Sequence, residues 1–334
     1  MFFGKKKWDP RGKHCYVTGG SAGLGLGLAV LLAKRGAHVS IVARNQERLD
    51  KAMLELEAAR QSPDQIIKAY SYSVDQAKEA EAALEAVCGA HGGRSPDALF
   101  LCAGKSRPGF FVEQTEESMQ MCMQETYWAQ AWSALAASKR MVRDGVKGKI
   151  VFVASVLGYF SIVGYSPYSP GKFAIRGLAE ALQSEFVLYD IGIHICFPGT
   201  ILSPGYVEEN KVKPKITLKI EESDTGLNPE VIAGHLLRGR SLTVYINLIL
   251  TAVAGVEKGQ FHVTYDFIGN VFRASTRGSS PGNNSLLDQV YSMIGAIALP
   301  IWRKDVDKQV RAHADEHHQH LASQGLLVSS GASK

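Results

Sequence analysis

A short β-prone run, His14 to Thr18, passes straight into Gly19-Gly20-Ser21-Ala22-Gly23-Leu24-Gly25 and then into the apolar stretch LGLAVLLAKRGA. That order predicts a strand, a glycine turn and a helix, and a second β-prone run at Val39 to Ala43 closes a β-α-β unit. Few folds accept such a beginning. Glycines at 19, 23 and 25 let backbone N–H groups and a helix N-terminus approach an anionic group without a Cβ in the way. In this setting the natural anion is a pyrophosphate.

The alternation then continues. A helix over about Gln46 to Arg60 precedes a strand over Ile66 to Val74, which ends at Asp75; a helix over about Gln76 to Ala90 precedes Ala98 to Leu101. A long helical region from Thr115 to Val142 leads to the strand Lys149 to Ala154. A helix from about Pro167 to Leu188 leads to the strand Ile193 to Phe197, and a last strand is expected over Gly259 to Tyr265. Strands alternating with helices at this spacing imply an α/β fold with a doubly wound parallel sheet. Ligands in such sheets bind outside the carboxyl ends of the strands. Gly19, Arg44, Asp75, Gly104, Ser155 and Pro198 all follow strand ends, so they share one rim.

On that rim, the end of the second strand usually carries an acid where NAD is preferred; here it carries Arg44, with Arg48 a helical turn further on. A guanidinium suits a 2′-phosphate, so the expected cofactor is NADP(H). Ser21 is expected to donate to a phosphate or ribose oxygen, and Asp75 to meet the adenine edge or cap the next helix. Arg48 would fit a solvated helix start equally well.

The chemistry-bearing stretch is VFVASVLGYFSIVGYSPYSPGK, residues 151–172. Ser155 ends an apolar strand, and Tyr168 and Lys172 stand four apart, on one face of a helix. Alone, that spacing reads as a surface tyrosine and a solvated lysine. Beside a hydride source it becomes an acid/base: a cation next to a phenol favours the phenolate, and a serine hydroxyl can bond the carbonyl oxygen that changes protonation state. Pro167 and Pro170 are expected in the first helical turn, made irregular by Pro170-Gly171.

Taken together, the Thr-Gly-x-x-x-Gly-x-Gly segment at Thr18 to Gly25, Ser155, and Tyr168-x-x-x-Lys172 resemble the short-chain dehydrogenase/reductase family over roughly Lys13 to Asp266. The resemblance implies a Rossmann-like fold with Tyr168 as proton donor for carbonyl reduction and Ser155 holding the carbonyl oxygen. It implies that Lys172 lowers the tyrosine pKa and binds the nicotinamide ribose, so Tyr168 and Lys172 also border the cofactor, and that Ser203-Pro204-Gly205 lies near the nicotinamide. Two positions depart from the family pattern. Leu101-Cys102-Ala103-Gly104 lacks the usual asparagine, and Thr126 stands where many members carry a tetrad asparagine. YSPGKFAIRGLAEALQSE, the Gly-Gly-Ser-Ala-Gly loop with Arg44, and Ser203 to Asn210 are similar to members that reduce a long-chain lipid ketone, 3-ketosphinganine, with NADPH at the cytosolic face of the endoplasmic reticulum. A hydroxysteroid or retinoid dehydrogenase of the same fold, and a non-catalytic NADP(H)-sensing scaffold, remain as alternatives.

Composition fits a packed globular chain: 334 residues, 46% hydrophobic, with 37 Lys+Arg against 32 Asp+Glu for a net charge of +5. So mild a charge implies no broad nucleic-acid surface. Cys15, Cys88, Cys102, Cys122 and Cys196 lie scattered in apolar stretches without metal or redox spacing, as buried residues of a reducing compartment. No apolar run behind MFFGKKKWDP is long enough for a signal peptide.

The expected organisation is a basic segment over 1–12, a catalytic domain over 13–266, a linker over 267–285, an apolar extension over 286–310 and a disordered tail over 311–334. Neither apolar run, Leu242 to Val256 or Val290 to Trp302, reaches about 20 residues free of charge, which disfavours a simple span. The first is expected to be a core or interface helix. The second, ending in Pro300 and Trp302 ahead of Arg303, Lys304 and Lys308, suits either a peripheral membrane contact or packing on a partner in a homodimer or homotetramer. Thr200 to Asn228 reads as a lid. Tyr159, Phe160, Ile162, Ile201, Leu202 and Tyr206 are the candidates for an apolar path to the substrate.

Overall fold

Runs such as HCYVT, ALFL and KIVFV have no polar face to show to water, so each must be covered on both sides. In the computed structural model, which describes residues 7–238 and 255–326, they are. The first strands and helices are β1 His14–Thr18, α1 Gly23–Lys34, β2 His38–Ala43, α2 Gln46–Ala59, β3 Ile67–Ser71, α3 Ala77–Gly89 and β4 Ala98–Leu101. Next come α4 Glu116–Met123, α5 Ala129–Arg143, β5 Lys149–Val153, α6 Ser169–Glu185 and β6 Gly192–Cys196. After these follow α7 Pro204–Val212, α8 Lys215–Ile220, α9 Pro229–Arg238, β7 His262–Val263, α10 Phe267–Thr276, α11 Ser285–Ala312 and α12 Ala314–Ser323. The strands form one parallel sheet in the order β3-β2-β1-β4-β5-β6-β7. Leu28, Leu32, Leu49, Leu56 and Ile232 cover one face, and Leu84, Ala137, Met141, Ile175 and Ala179 the other. The strand order reverses between β1 and β4, which opens a crevice at their carboxyl ends.

The elements differ from the sequence expectation where local contacts override periodicity. β3 stops at Ser71 rather than Val74: it is an edge strand, and beyond it the Ser73 hydroxyl turns back to Asp75 Oδ1 at 2.7 Å. β7 is likewise confined to His262–Val263. The single helix expected over Thr115 to Val142 is broken by a π-turn at Gln124–Trp128 between α4 and α5. Pro167 lies ahead of α6 rather than in its first turn; Tyr168 is the N-cap residue and Pro170 the second helical residue.

The π-turn and the Pro170-Gly171 pair explain each other. A Cβ on Gly171 would stand 1.8 Å from Thr126 Oγ1, so only glycine lets α6 pack against the π-turn. Thr126 is wholly buried there, its hydroxyl donating to the Cys122 carbonyl at 2.5 Å. π-turns break the helical hydrogen-bond ladder where function needs a local bulge.

The C-terminal region is more ordered than its composition suggests. The stretch expected to be linker from 267 begins with α10, and the tail expected to be disordered from 311 carries the end of α11 and then α12. A buried ion pair is the reason: Arg273 on α10 meets Asp288 on α11 at 2.6 Å, with Arg277 on the same carboxylate at 3.1 Å. Trp302 packs edge-on against Phe160 and Phe272, and Lys215 reaches Glu316 at 2.9 Å, so the extension folds back onto the catalytic domain. The apolar run from Leu242 lies outside the described residues except for its last two, Gly255 and Val256.

Candidate active site

The glycine turn is built by close approach. Gly19 has φ of +66°, and a Cβ there would lie 2.9 Å from the Ala103 backbone, so β1 and β4 converge just past their ends. The Thr18 hydroxyl accepts from Ala103 N–H at 3.2 Å and pins that approach. A Cβ on Gly25 would meet the Gly19 carbonyl at 2.3 Å, and Gly23, with φ of +54°, lies under Ser203. The first turn of α1 thus presents bare backbone to the crevice, a cradle of the kind a pyrophosphate needs. Ser21 lines it, and Ser203, expected beside it, caps α7 from above by accepting from Tyr206 N–H at 3.3 Å.

Arg44 leaves the end of β2 and lies between two carboxylates, 3.5 Å from Asp75 and 3.5 Å from Glu125. Its side chain is 59% exposed, so both contacts are loose enough to yield to a phosphate. Arg48 lies on the first turn of α2, and its backbone N–H is taken by the Asn45 cap. Glu125 is buried and held bidentately by Arg107 at 2.7 and 3.1 Å. Nothing in the sequence spacing singles out that pair, because the π-turn aims Glu125 and the loop after β4 supplies Arg107.

Ser155, Tyr168 and Lys172 come together below Gly104, on a cleft of about 910 Å³ that they share with the glycine turn, Arg44, Arg48 and Asp75. Lys172 is buried, its ammonium 5.5 Å from the Tyr168 ring centroid and donating to the Val153 carbonyl at 3.0 Å. The same carbonyl accepts from Gln130 Nε2 at 2.8 Å, while Gln130 Oε1 takes Val153 N–H at 3.0 Å. Gln130, fully buried on α5, therefore fixes the strand end from which Lys172 hangs. In sequence it reads as one polar residue on a helix.

Burial raises the Tyr168 phenol above its ordinary value, the Glu209 carboxylate raises it further, and the Ser155 hydroxyl works the other way. Burial also lowers Lys172, to about 8. A phenol that keeps its proton at neutral pH suits a proton donor to a carbonyl. Thr126, expected at the tetrad position, donates its hydroxyl to the Cys122 carbonyl and packs against Gly171 of α6.

Of the proposed apolar path, Phe160, Ile162, Ile201 and Tyr206 line the cleft. Tyr159 does not: it is buried beneath, stacked on Phe197 at 3.9 Å. Leu202 lies outside the cleft lining and is 41% exposed. Leu157, Ile220, Phe272 and Trp302 complete the apolar wall. The segment expected to be a lid carries α7 and α8 and is tied at its base by a bridge between Ile201 and Leu227.

A buried ammonium with a carbonyl for company is costly. The folded chain binds fewer protons at Lys172 than the unfolded chain between about pH 8 and 10.5, so this group makes stability rise with pH across that window. Lys172→Met is expected to abolish turnover while raising the melting temperature at pH 7 by about 2 °C or more. That gain should shrink from pH 8 upward, read by thermal unfolding at a series of pH values. A melting temperature that falls at pH 7 would mean that the Val153 contact outweighs desolvation.

The model of the short chain dehydrogenase family matches residues 13–213. The chain is 40% identical over 327 residues, 98% of its length and 92% of the other's, to the 3-ketodihydrosphingosine reductase TSC10 of Cryptococcus neoformans var. neoformans serotype D (strain B-3501A). It is 35% identical over 235 residues, 68% of each chain, to the 3-ketodihydrosphingosine reductase of Mus musculus. Among solved structures, the L-sorbose reductase of Gluconobacter frateurii complexed with NADPH and L-sorbose shares the fold, with a TM-score of 0.59 at 23% identity over 69% of this chain and 90% of that one. The parallel sheet, the glycine turn and the Ser155–Tyr168–Lys172 cluster agree with these likenesses, and the chain belongs to the short-chain dehydrogenase/reductase family.

Proposed function

We propose that the chain reduces the C3 ketone of 3-ketodihydrosphingosine to dihydrosphingosine with NADPH. The observation that carries this is one cleft holding the glycine turn, the Ser155–Tyr168–Lys172 cluster and an apolar wall of Leu157, Phe160, Ile162, Ile220 and Trp302. Relatives that carry the name 3-ketodihydrosphingosine reductase match nearly the whole chain. When bound, the nicotinamide supplies a hydride for C3. Ser155 orients and polarises the ketone oxygen, and the Tyr168 hydroxyl hands its proton to that oxygen as negative charge develops there. Lys172 holds positive charge beside the phenolate that results and would hold the nicotinamide ribose when the cofactor is bound.

NADPH rather than NADH is favoured by Arg44, since no acid ends β2 and the two carboxylates near Arg44 release it to a phosphate at little cost. A peripheral membrane contact, which this reading puts at the cytosolic face of the endoplasmic reticulum, draws its support as a membrane contact from α11. Leu286, Val290, Met293, Ile297 and Ile301 form one stripe, each more than half exposed, while Tyr291, Gly295 and Val306 face inward. Among the described residues α11 is also the helix long and apolar enough to cross a membrane by length and composition. Its buried Asp288 pair with Arg273 instead ties it to the domain surface, as an interfacial helix whose basic residues Arg303, Lys304 and Lys308 lie at the headgroups.

Tyr168→Phe should abolish NADPH oxidation with 3-ketosphinganine while leaving NADPH binding intact; full turnover in that variant would remove the proton-donor assignment. Arg44→Asp should reverse or erase the preference for NADPH over NADH, and an unchanged ratio of kcat/KM values would refute the phosphate contact. Flotation with vesicles containing anionic lipid should carry the full chain upward, and a Met293→Glu, Ile297→Glu variant should remain at the bottom. A variant that still floats but sediments as a smaller species would assign the stripe to a subunit interface.

A further inference from the structure

The lid brings charge to a place where a neutral ketone has no use for it. Tyr165, three residues before Tyr168, donates its hydroxyl to Glu209 Oε1 at 2.7 Å. Glu209 on α7 and Glu221 at the end of α8 share the ammonium of Lys213, at 3.2 and 2.7 Å, and the Lys213 side chain is only 1% exposed. That ammonium also lies 5.8 and 5.2 Å from the ring centroids of Tyr165 and Tyr206. Burial works against its charge, and the two carboxylates more than offset it, holding the Lys213 pKa above its usual value.

The Lys213–Glu221 pair suffices to latch α7 to α8. Glu209 is then surplus to the latch: two carboxylates face one ammonium, and the network carries one negative charge in excess. That charge is close to the chemistry. The rings of Tyr165 and Tyr168 are 5.9 Å apart, and Glu209 and Glu221 line the same cleft as Ser155 and Tyr168. Both described contacts of Glu209 fall on Oε1, which leaves Oε2 with lone pairs to offer. Partly buried carboxylates are expensive unless a cation or donor arrives to use them.

The substrate named above is an amino ketone, with an ammonium on the carbon next to the ketone. We propose that Glu209, held in place by Tyr165 and Lys213, accepts that ammonium and so selects lipid ketones bearing an adjacent amine. The inference rests on the lipid-ketone reading. Glu221 acts through Lys213, as a positioning residue that keeps the lysine from turning fully onto Glu209. The apolar wall beyond takes the alkyl chain, so the ammonium and the chain together set which face of the ketone meets the hydride.

The test compares NADPH oxidation by the full chain on 3-ketosphinganine and on its desamino analogue, 1-hydroxyoctadecan-3-one. The wild type should prefer the amine-bearing ketone by about tenfold or more in kcat/KM, the size expected of a hydrogen bond to a charged group. Glu209→Gln should bring the ratio of kcat/KM for the two ketones to about one, mostly through KM on the amine-bearing ketone; because this carboxylate also bears on the Tyr168 proton, the ratio rather than the rate on either ketone is the readout. An equal loss on both ketones would overturn the proposal in favour of a general packing role, and so would a wild type indifferent to the amine, which needs no variant to observe. If Glu209→Gln does not fold, the wild-type comparison and a Glu221→Gln variant decide in its place. A wild type that binds NADPH but reduces neither ketone would instead sink the functional reading itself, and this inference with it.

Discussion

One backbone carbonyl, that of Val153 at the end of β5, accepts two buried donors, and most of the active site depends on it. Gln130 reaches it from α5 and Lys172 from α6, at 2.8 and 3.0 Å. A carbonyl has two lone pairs, so the arrangement uses its full capacity and leaves neither donor stranded in the core. Lys172 is thereby held charged at a depth where its own burial opposes the charge. The strain is tolerated because Gln130 locks the strand end and because α6 starts where it does. That start depends in turn on Gly171, the one residue that lets α6 press against the buried Thr126 of the π-turn.

The strands and the rim were legible from the sequence because parallel strands buried on both faces leave near-continuous apolar runs. Gly19 and Gly25 also have geometric requirements that no other residue meets, since a Cβ at either would run into backbone. His14 to Thr18 and Ala98 to Leu101 match their predicted bounds residue for residue. The π-turn was not legible, since one extra residue per turn leaves the hydrophobic pattern of Thr115 to Val142 almost undisturbed. Gln130, Glu125 and Glu209 were missed for a related reason: a polar residue on a helix looks solvated until its neighbours in space are known. The helix that opens the expected linker was not legible because composition cannot register Arg273–Asp288, a pair that joins α10 to α11.

The α7–α8 segment and the C-terminal extension both reach the cleft. α7 and α8 bring Tyr206, Glu209, Ile220 and Glu221, while α10 and α11 bring Phe272 and Trp302. Tyr168 thus stands between Glu209 and the apolar cluster of Leu157, Ile162 and Trp302. A substrate with a charged head and a long chain fits that division. The proposed delivery from a lipid surface fits too, because Trp302 of the apolar wall and the exposed stripe belong to the same helix, α11.

The central claim is that a hydride goes to a ketone carbon in this cleft while Tyr168 furnishes the proton. Single-turnover reduction of 3-ketosphinganine with NADPH deuterated at C4 of the nicotinamide, the product analysed by mass spectrometry, tests it most directly. The account predicts one deuterium on C3 of dihydrosphingosine from one C4 face of the cofactor and none from the other. Product carrying deuterium from neither face, or from both, would contradict it.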